Sequence, residues 1–190
     1  ALDAVAVSAA ELPHEVIVVD NGSTDGSLEL LRARYPAVRV IANDRNLGFA
    51  AANNQGPTLA RGAAYLLLNS DAAPEPAAIP ALWAALVERP RAGVVGPRLL
   101  TADGSLQGSR RRFPTPATLF VESTPVAGLP LARRLVRRFH LADMPEAGTQ
   151  AVDWLVGACL LVRREAVAAA GPLDARFFMY AEEVEWQWRI

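Results

Sequence analysis

The chain has 190 residues, 52% hydrophobic and 21% charged, with a formal net charge of −1. That balance excludes a disordered tail and a nucleic-acid binder led by overall charge, and the length suits one globular domain with a sizeable core. All 19 basic residues are arginine, a compositional bias, and the lone Cys159 excludes an internal disulfide.

In chain order, residues 1–12 read as the tail of a helix carrying Leu2, Val5, Ala9 and Leu12. EVIVVD (15–20) is a β-branched strand that ends in the turn cluster Asn21-Gly22-Ser23-Thr24-Asp25. Ser23 or Thr24 is expected to cap a helix whose apolar face is Leu28, Leu31 and Tyr35. Val38–Ala42 is a second strand, and Asn46-Leu47-Gly48-Phe49 opens a helix reaching about Arg61. A third strand, Tyr65–Leu68, stops on Asn69-Ser70-Asp71. A helix around 79–88 and a short strand at 93–96 follow. Strand and helix alternating with short joints predict an α/β fold, a doubly wound and mostly parallel sheet with helices on both faces. Asp103-Gly104 predicts a small β-hairpin region. Asp153–Val162 reads as one later buried strand, and Arg164–Ala170 as a short helix stopped by Gly171-Pro172. No linker divides the chain, so 1–190 is expected to form a single domain. Both ends read as cut, the last inside a helical pattern, which suggests a fragment.

In an open α/β sheet, ligands lie outside the carboxyl ends of the strands. Asp20 and Asp71 both end strands, so both are placed at the mouth of a crevice. Asp71 suits a hard cation, Mg²⁺ or Mn²⁺, which uses one or two carboxylates and completes its shell with phosphate and water. A helix-capping part is the plain alternative for either. Neither a dinucleotide fingerprint nor a Walker sequence is present. Glu182, Glu183 and Glu185 lie among aromatics near the end of the chain. On a helix, Glu182 and Glu185 share a face while Glu183 points about 100° away. One of them is a candidate general base, a role worth roughly 10²–10⁴-fold in rate. A favourable charge at a helix N-terminus explains them equally well from spacing alone.

The segments EVIVVDNGSTDGS, DRNLGFAAANNQG, LLLNSD, VDWLVGACLLVRR and FFMYAEEVEWQWR, in this order, resemble the family-2 inverting glycosyltransferases of the GT-A fold, in particular the rhamnosyltransferase-like branch. The resemblance implies a nucleotide-diphosphate sugar donor, a divalent metal, and direct displacement at the anomeric carbon toward a glycan or lipid-linked acceptor. It implies that Asp20 contacts base or ribose, with Asn46 and Gly48 lining the same pocket. Asn69-Ser70-Asp71 stands at the family's Asp-x-Asp element, leaving Asp71 as the metal ligand and Asn69 as a ribose or sugar contact. Gly157 falls where small residues face the donor sugar, and Trp154 either stacks on a sugar ring or is core. Glu182-Glu183 stands at the family's Glu-Asp, the second acid being the expected base. Glu183 there and Glu185 two residues later replace Asp. One extra methylene moves a carboxylate by about an ångström, a misplacement that can cost ~10²-fold.

The family's first strand and its Thr-Tyr-Asn turn are expected before Ala1. A cytoplasmic place, peripheral at the inner face of the cell membrane, is expected, with cell-surface polysaccharide as the product. Residues 131–139, LARRLVRRF, project as a basic amphipathic helix. Leu131, Leu135, Val136 and Phe139 are expected on one side, and Arg133, Arg134, Arg137 and Arg138 on the other, a pattern suited to an anionic membrane surface or, as the plain alternative, to a solvated surface helix. A sugar-nucleotide pyrophosphorylase shares the layout but needs a Gly-rich basic loop. A non-catalytic carbohydrate-binding or scaffold relative is the third reading.

Overall fold

The computed structural model describes residues 1–145 and 147–190, with the side chains of Ala127 and Leu131 also outside the description. In chain order the elements are α1 (Leu2–Ser8), β1 (Ile17–Asp20), α2 (Ser27–Arg34), β2 (Arg39–Ala42), α3 (Phe49–Leu59), β3 (Ala64–Leu68), α4 (Ala78–Glu88) and β4 (Val94–Val95). There follow β5 (Leu99–Leu100), β6 (Leu106–Gln107), β7 (Arg110–Arg111), α5 (Pro116–Glu122), a 3₁₀ turn (Pro125–Gly128) and α6 (Pro130–Phe139). The chain closes with β8 (Trp154–Leu155), β9 (Cys159–Arg163), α7 (Arg164–Ala170) and α8 (Glu182–Arg189). These elements form two compact units, one of residues 1–97 with 157–190, the other of residues 98–156.

In the first unit β1 and β2 pair in parallel, Ile17 opposite Arg39 and Asp20 opposite Ala42. β9 is the central strand of a second sheet and runs antiparallel to both β3 and β4. β3 and β4 therefore run the same way on either side of one reversed strand. The α/β class expected from the sequence is observed, with direct parallel pairing confined to β1 and β2 among the described strands. The central position of β9 explains its unbroken apolar run. Cys159, Leu160, Leu161 and Val162 are all buried, with Ile79, Leu82 and Leu86 of α4 in the same core. Burial pushes the Cys159 thiol up to about 11, so it is an inert core group.

The run 153–162 is not one strand. It divides at Gly157-Ala158, because Trp154–Leu155 pairs with β7 while Cys159–Arg163 pairs with β3 and β4. The start of α2 also differs from the reading. Gly26, at φ +85°, takes the N-cap position, and the Asp25 carboxylate, rather than Ser23 or Thr24, accepts the Ser27 amide at 3.1 Å.

In the second unit β5 and β6 form the hairpin predicted around Asp103-Gly104, closed by the Thr101 amide on the Ser105 carbonyl at 2.9 Å. α5 begins with a capping box, in which Thr115 and Thr118 each bond the other's backbone. The expected sidedness of α6 is observed: Phe139 is buried and Leu135 and Val136 are half-buried, while Arg133, Arg134, Arg137 and Arg138 are exposed, so the apolar side turns into the unit's own packing. The side chain of Leu131 lies outside the described residues.

Candidate active site

Five segments far apart in sequence are linked in the first unit at the carboxyl ends of β1, β2 and β3. The first link joins the loops after β1 and β2. Asn21 donates through Nδ2 to Asn46 Oδ1 at 2.8 Å, and its Oδ1 accepts the Leu47 amide at 3.0 Å. Asn46 Oδ1 also accepts the Gly48 amide at 2.9 Å. The second link joins Gly48-Phe49 to the tail. The Phe49 amide donates to the Phe178 carbonyl at 2.7 Å, and a Cβ on Gly48 would lie 2.7 Å from that same oxygen. Gly48 also sits at φ +89°, so glycine is required there twice over.

The third link brings the acids in. Tyr180 and Ala181, both at φ +71°, turn the chain sharply into α8, whose first residues are Glu182 and Glu183. Two consecutive left-handed residues other than glycine are a costly conformation of the kind that clusters at working sites. Glu183 packs on Gly157, where an added Cβ would meet its Cγ, Cβ and Cδ at 3.6–3.8 Å. The fourth link runs on to β3. Leu68 of β3 stands opposite Cys159, and beyond them the Asn69 amide donates to the Ala158 carbonyl at 3.0 Å. The Asn69-Ser70-Asp71 turn and the acid pair thus flank the same two small residues, Gly157 and Ala158.

The individual side chains differ in what they have free. Asp20 is buried, with the Ser23 amide 3.4 Å from its Oδ2. Ser70 and Asp71 are exposed, and Asn69 is half-buried. Glu182 is 3% exposed, and its Oε2 and that of half-buried Glu183 are enclosed without a hydrogen-bond partner among the described residues. Burial first, and then the neighbouring Glu183 carboxylate, hold the Glu182 carboxyl above its ordinary range, against a backbone hydrogen bond that lowers it.

Glu185, the third candidate base, is held in an ion pair. Both of its oxygens are engaged by Arg189, Nε to Oε1 at 2.6 Å and Nη2 to Oε2 at 2.7 Å. Arg189 in turn holds the carbonyls of Ala170 and Pro172. Trp154 belongs to the second unit, where its indole N–H donates to the Arg112 carbonyl at 2.7 Å.

The donor set at Asp71 is one exposed carboxylate beside two polar side chains. Among the described residues no three His, Cys, Asp or Glu side chains converge as a ready-made cage. That chemistry fits Mg²⁺ or Mn²⁺, which draw most of their ligands from phosphate and water.

Some working parts were not singled out from the sequence. Asn54 clamps the backbone of Leu173, donating to its carbonyl at 2.8 Å and accepting its amide at 2.9 Å. The Trp186 indole donates to the Gly171 carbonyl at 2.8 Å. Together with the Phe49–Phe178 bond these set the path of residues 171–181. A side-chain amide on a helix is a common surface residue, so only the partner reveals the role. A separate hollow of about 360 Å³, lined by His14, Glu15, Arg39 and Arg61, lies at the opposite ends of β1 and β2, away from the acids.

A relative from Mycobacterium tuberculosis, N-acetylglucosaminyl-diphospho-decaprenol L-rhamnosyltransferase, is 35% identical over 190 residues, covering 93% of this chain and 61% of the relative. The O-antigen biosynthesis protein RfbC of Myxococcus xanthus is 29% identical over 184 residues, 94% of this chain and 14% of that protein. A dodecaprenyl-phosphate galacturonate synthase of Rhizobium johnstonii is 33% identical over 109 residues, 54% of this chain and 32% of the synthase. The family model for glycosyl transferase family 2 matches residues 1–167. With most of its length inside that match, the chain belongs to glycosyl transferase family 2.

Proposed function

We propose that this chain is the core of an inverting glycosyltransferase. It transfers a sugar, rhamnose by likeness to the mycobacterial relative, from a nucleotide-diphosphate donor to a hydroxyl of a glycan or lipid-linked acceptor in cell-surface polysaccharide synthesis. The observation that carries the reading is the shared seat of two acidic spots, Glu183 on Gly157 and the Asn69-Ser70-Asp71 turn on Ala158.

The division of labour among the acids follows from their surroundings. Glu185 is held in an ion pair, and Glu182 is the member whose burial favours the neutral form. Glu183 remains as the base. The carboxylate of half-buried Glu183 takes the proton of the acceptor hydroxyl while the acceptor oxygen forms a bond to C1 of the donor sugar. The C1–O bond to the diphosphate breaks on the opposite face, and its electron pair leaves with the diphosphate. Asp71, with Asn69 and Ser70 beside it, would hold the divalent metal, which when bound supplies positive charge against that leaving group. Asp20, Asn46 and Gly48 line the nucleotide end, and Gly157 leaves room for the donor sugar. The decaprenol in the relative's name supports a lipid-linked acceptor.

The test is titration of UDP, GDP and dTDP with and without Mn²⁺, followed by transfer assays with the matching donor sugars. Asp71→Ala should abolish metal-dependent nucleotide binding. Glu183→Gln should bind as the parent does and lose transfer. Full transfer by Glu183→Gln refutes the assignment of the base, and binding without any transfer by the parent supports a non-catalytic relative instead.

A further inference from the structure

We infer that the α5–α6 face of the second unit docks on the anionic surface of a phospholipid bilayer. The inference does not depend on the transfer reading. Arg133, Arg134, Arg137 and Arg138 of α6 are all exposed, and among the described residues none of them forms an ion pair. The nearby carboxylate of Glu122 is taken by His140 at 2.5 Å rather than by any of these arginines.

Arginines alone describe a solvated helix; the second observation is apolar. Leu119 and Phe120 of α5 are 54% and 62% exposed, and Leu129, just before α6, is 58% exposed. Single exposed apolar residues are ordinary; what joins the apolar and basic parts is a groove of about 500 Å³ lined by Val121, Val126, Leu129 and Leu135 with Arg134 and Arg138.

These side chains also revise which residues would enter the membrane. Phe139 faces the unit's own core, so α6 contributes charge, and α5 with the following turn contributes the inserting side chains. Stable attachment to a membrane takes two signals, an apolar one and a basic one, and this hairpin presents both. Guanidinium groups pair bidentately with phosphate while their stems lie along apolar surface. Nucleic acid would satisfy the arginines but leave Phe120 and Leu129 without a partner. An acidic protein could satisfy both and is separated by experiment.

The full chain is sedimented with vesicles of phosphatidylcholine alone and of phosphatidylcholine with phosphatidylglycerol. Sedimentation is expected with the anionic vesicles only, and is expected to be lost near 1 M salt, where charges are screened within about 3 Å. Replacing all four arginines with glutamine should weaken binding by roughly 10²–10³-fold, from about fivefold per basic residue. Phe120→Ser with Leu129→Ser should weaken it with the charge intact. Absence of vesicle binding overturns the proposal and leaves an acidic protein as the occupant. Equal binding to neutral vesicles, or parental binding by the arginine variant, overturns it too. Should either variant fail to fold by circular dichroism, the lipid and salt dependence of the parent decides alone. No donor, metal or acceptor is present, and Glu183→Gln should sediment as the parent does, so failure here is separate from failure of the transfer reading.

Discussion

The Phe49 amide and the Phe178 carbonyl are joined by a 2.7 Å hydrogen bond that ties the loop after β2 to the segment leading into the acid pair. That bond forms beside Gly48, whose lack of a side chain lets the two backbones approach. The loop after β2 and the segment that leads into Glu182 and Glu183 are therefore coupled through this contact.

Gly48→Ala should be damaging in a way that Gly157→Ala is not. At position 48 the new methyl would meet the Phe178 carbonyl oxygen at 2.7 Å in a left-handed backbone. With ψ at 166° the backbone is one that almost only glycine adopts and costs roughly 1–3 kcal/mol for alanine, at about 2–4 °C of melting temperature per kcal/mol. At Gly157 the contacts with Glu183 are ordinary ones, so the fold should keep its melting temperature within a degree or two while the donor-side space narrows. Thermal melts of both variants, with nucleotide titrations, check the pair. Equal melting temperatures for the two would refute it.

Glu182→Gln should stabilise the protein at neutral pH. Burial raises the folded-state affinity of Glu182 for its proton above that of the unfolded chain. The folded state then holds more proton than the unfolded one, so stability falls as pH rises from the unfolded value of about 4.3 through the folded one. The penalty is complete above that window and vanishes below it. The variant should melt higher at pH 7.5 by roughly 2–4 °C, for about 1 kcal/mol, with the difference closing below pH 4. A variant that melts lower than the parent at pH 7.5 contradicts the account.

Glu185 and Arg189 should prove structural. Glu185→Gln loses an i,i+4 ion pair worth about 0.5 kcal/mol, and turnover per folded molecule should stay within about twofold. Arg189→Met also frees the carbonyls of Ala170 and Pro172, a loss of roughly 1–3 kcal/mol. Urea unfolding measures the ranking. A collapse of turnover in folded Glu185→Gln would return it to the list of candidate bases.

Asn54→Ala should loosen the tail. It removes both hydrogen bonds to Leu173, at a cost of roughly 1–3 kcal/mol. Hydrogen exchange should then rise across 171–181 more than across β9. Uniform exchange would mean that the tail is fixed elsewhere.

How much of this was legible beforehand varies with the range of the cause. The end of β1 at Asp20, the end of β3 at Leu68 just before the Asn69-Ser70-Asp71 turn, the hairpin at Asp103-Gly104 and the helix of the late glutamates were legible because each depends on a few adjacent residues. The break at Gly157-Ala158 was not, since VDWLVGACLLV is apolar throughout and only its pairing partners differ. The direction of β9 was hidden for the same reason: a buried run of leucines is compatible with either orientation.

Chain order, residue type and local period were enough to determine the α/β class, the acids at strand ends and the five ordered segments by which the chain resembles its family. How the surroundings of three neighbouring glutamates differ was decided only in three dimensions. Arg189 claims Glu185, burial favours the neutral Glu182, and Gly157 supports Glu183. Those outcomes depend on desolvation and on partners brought in from remote parts of the chain, and spacing along a helix contains neither.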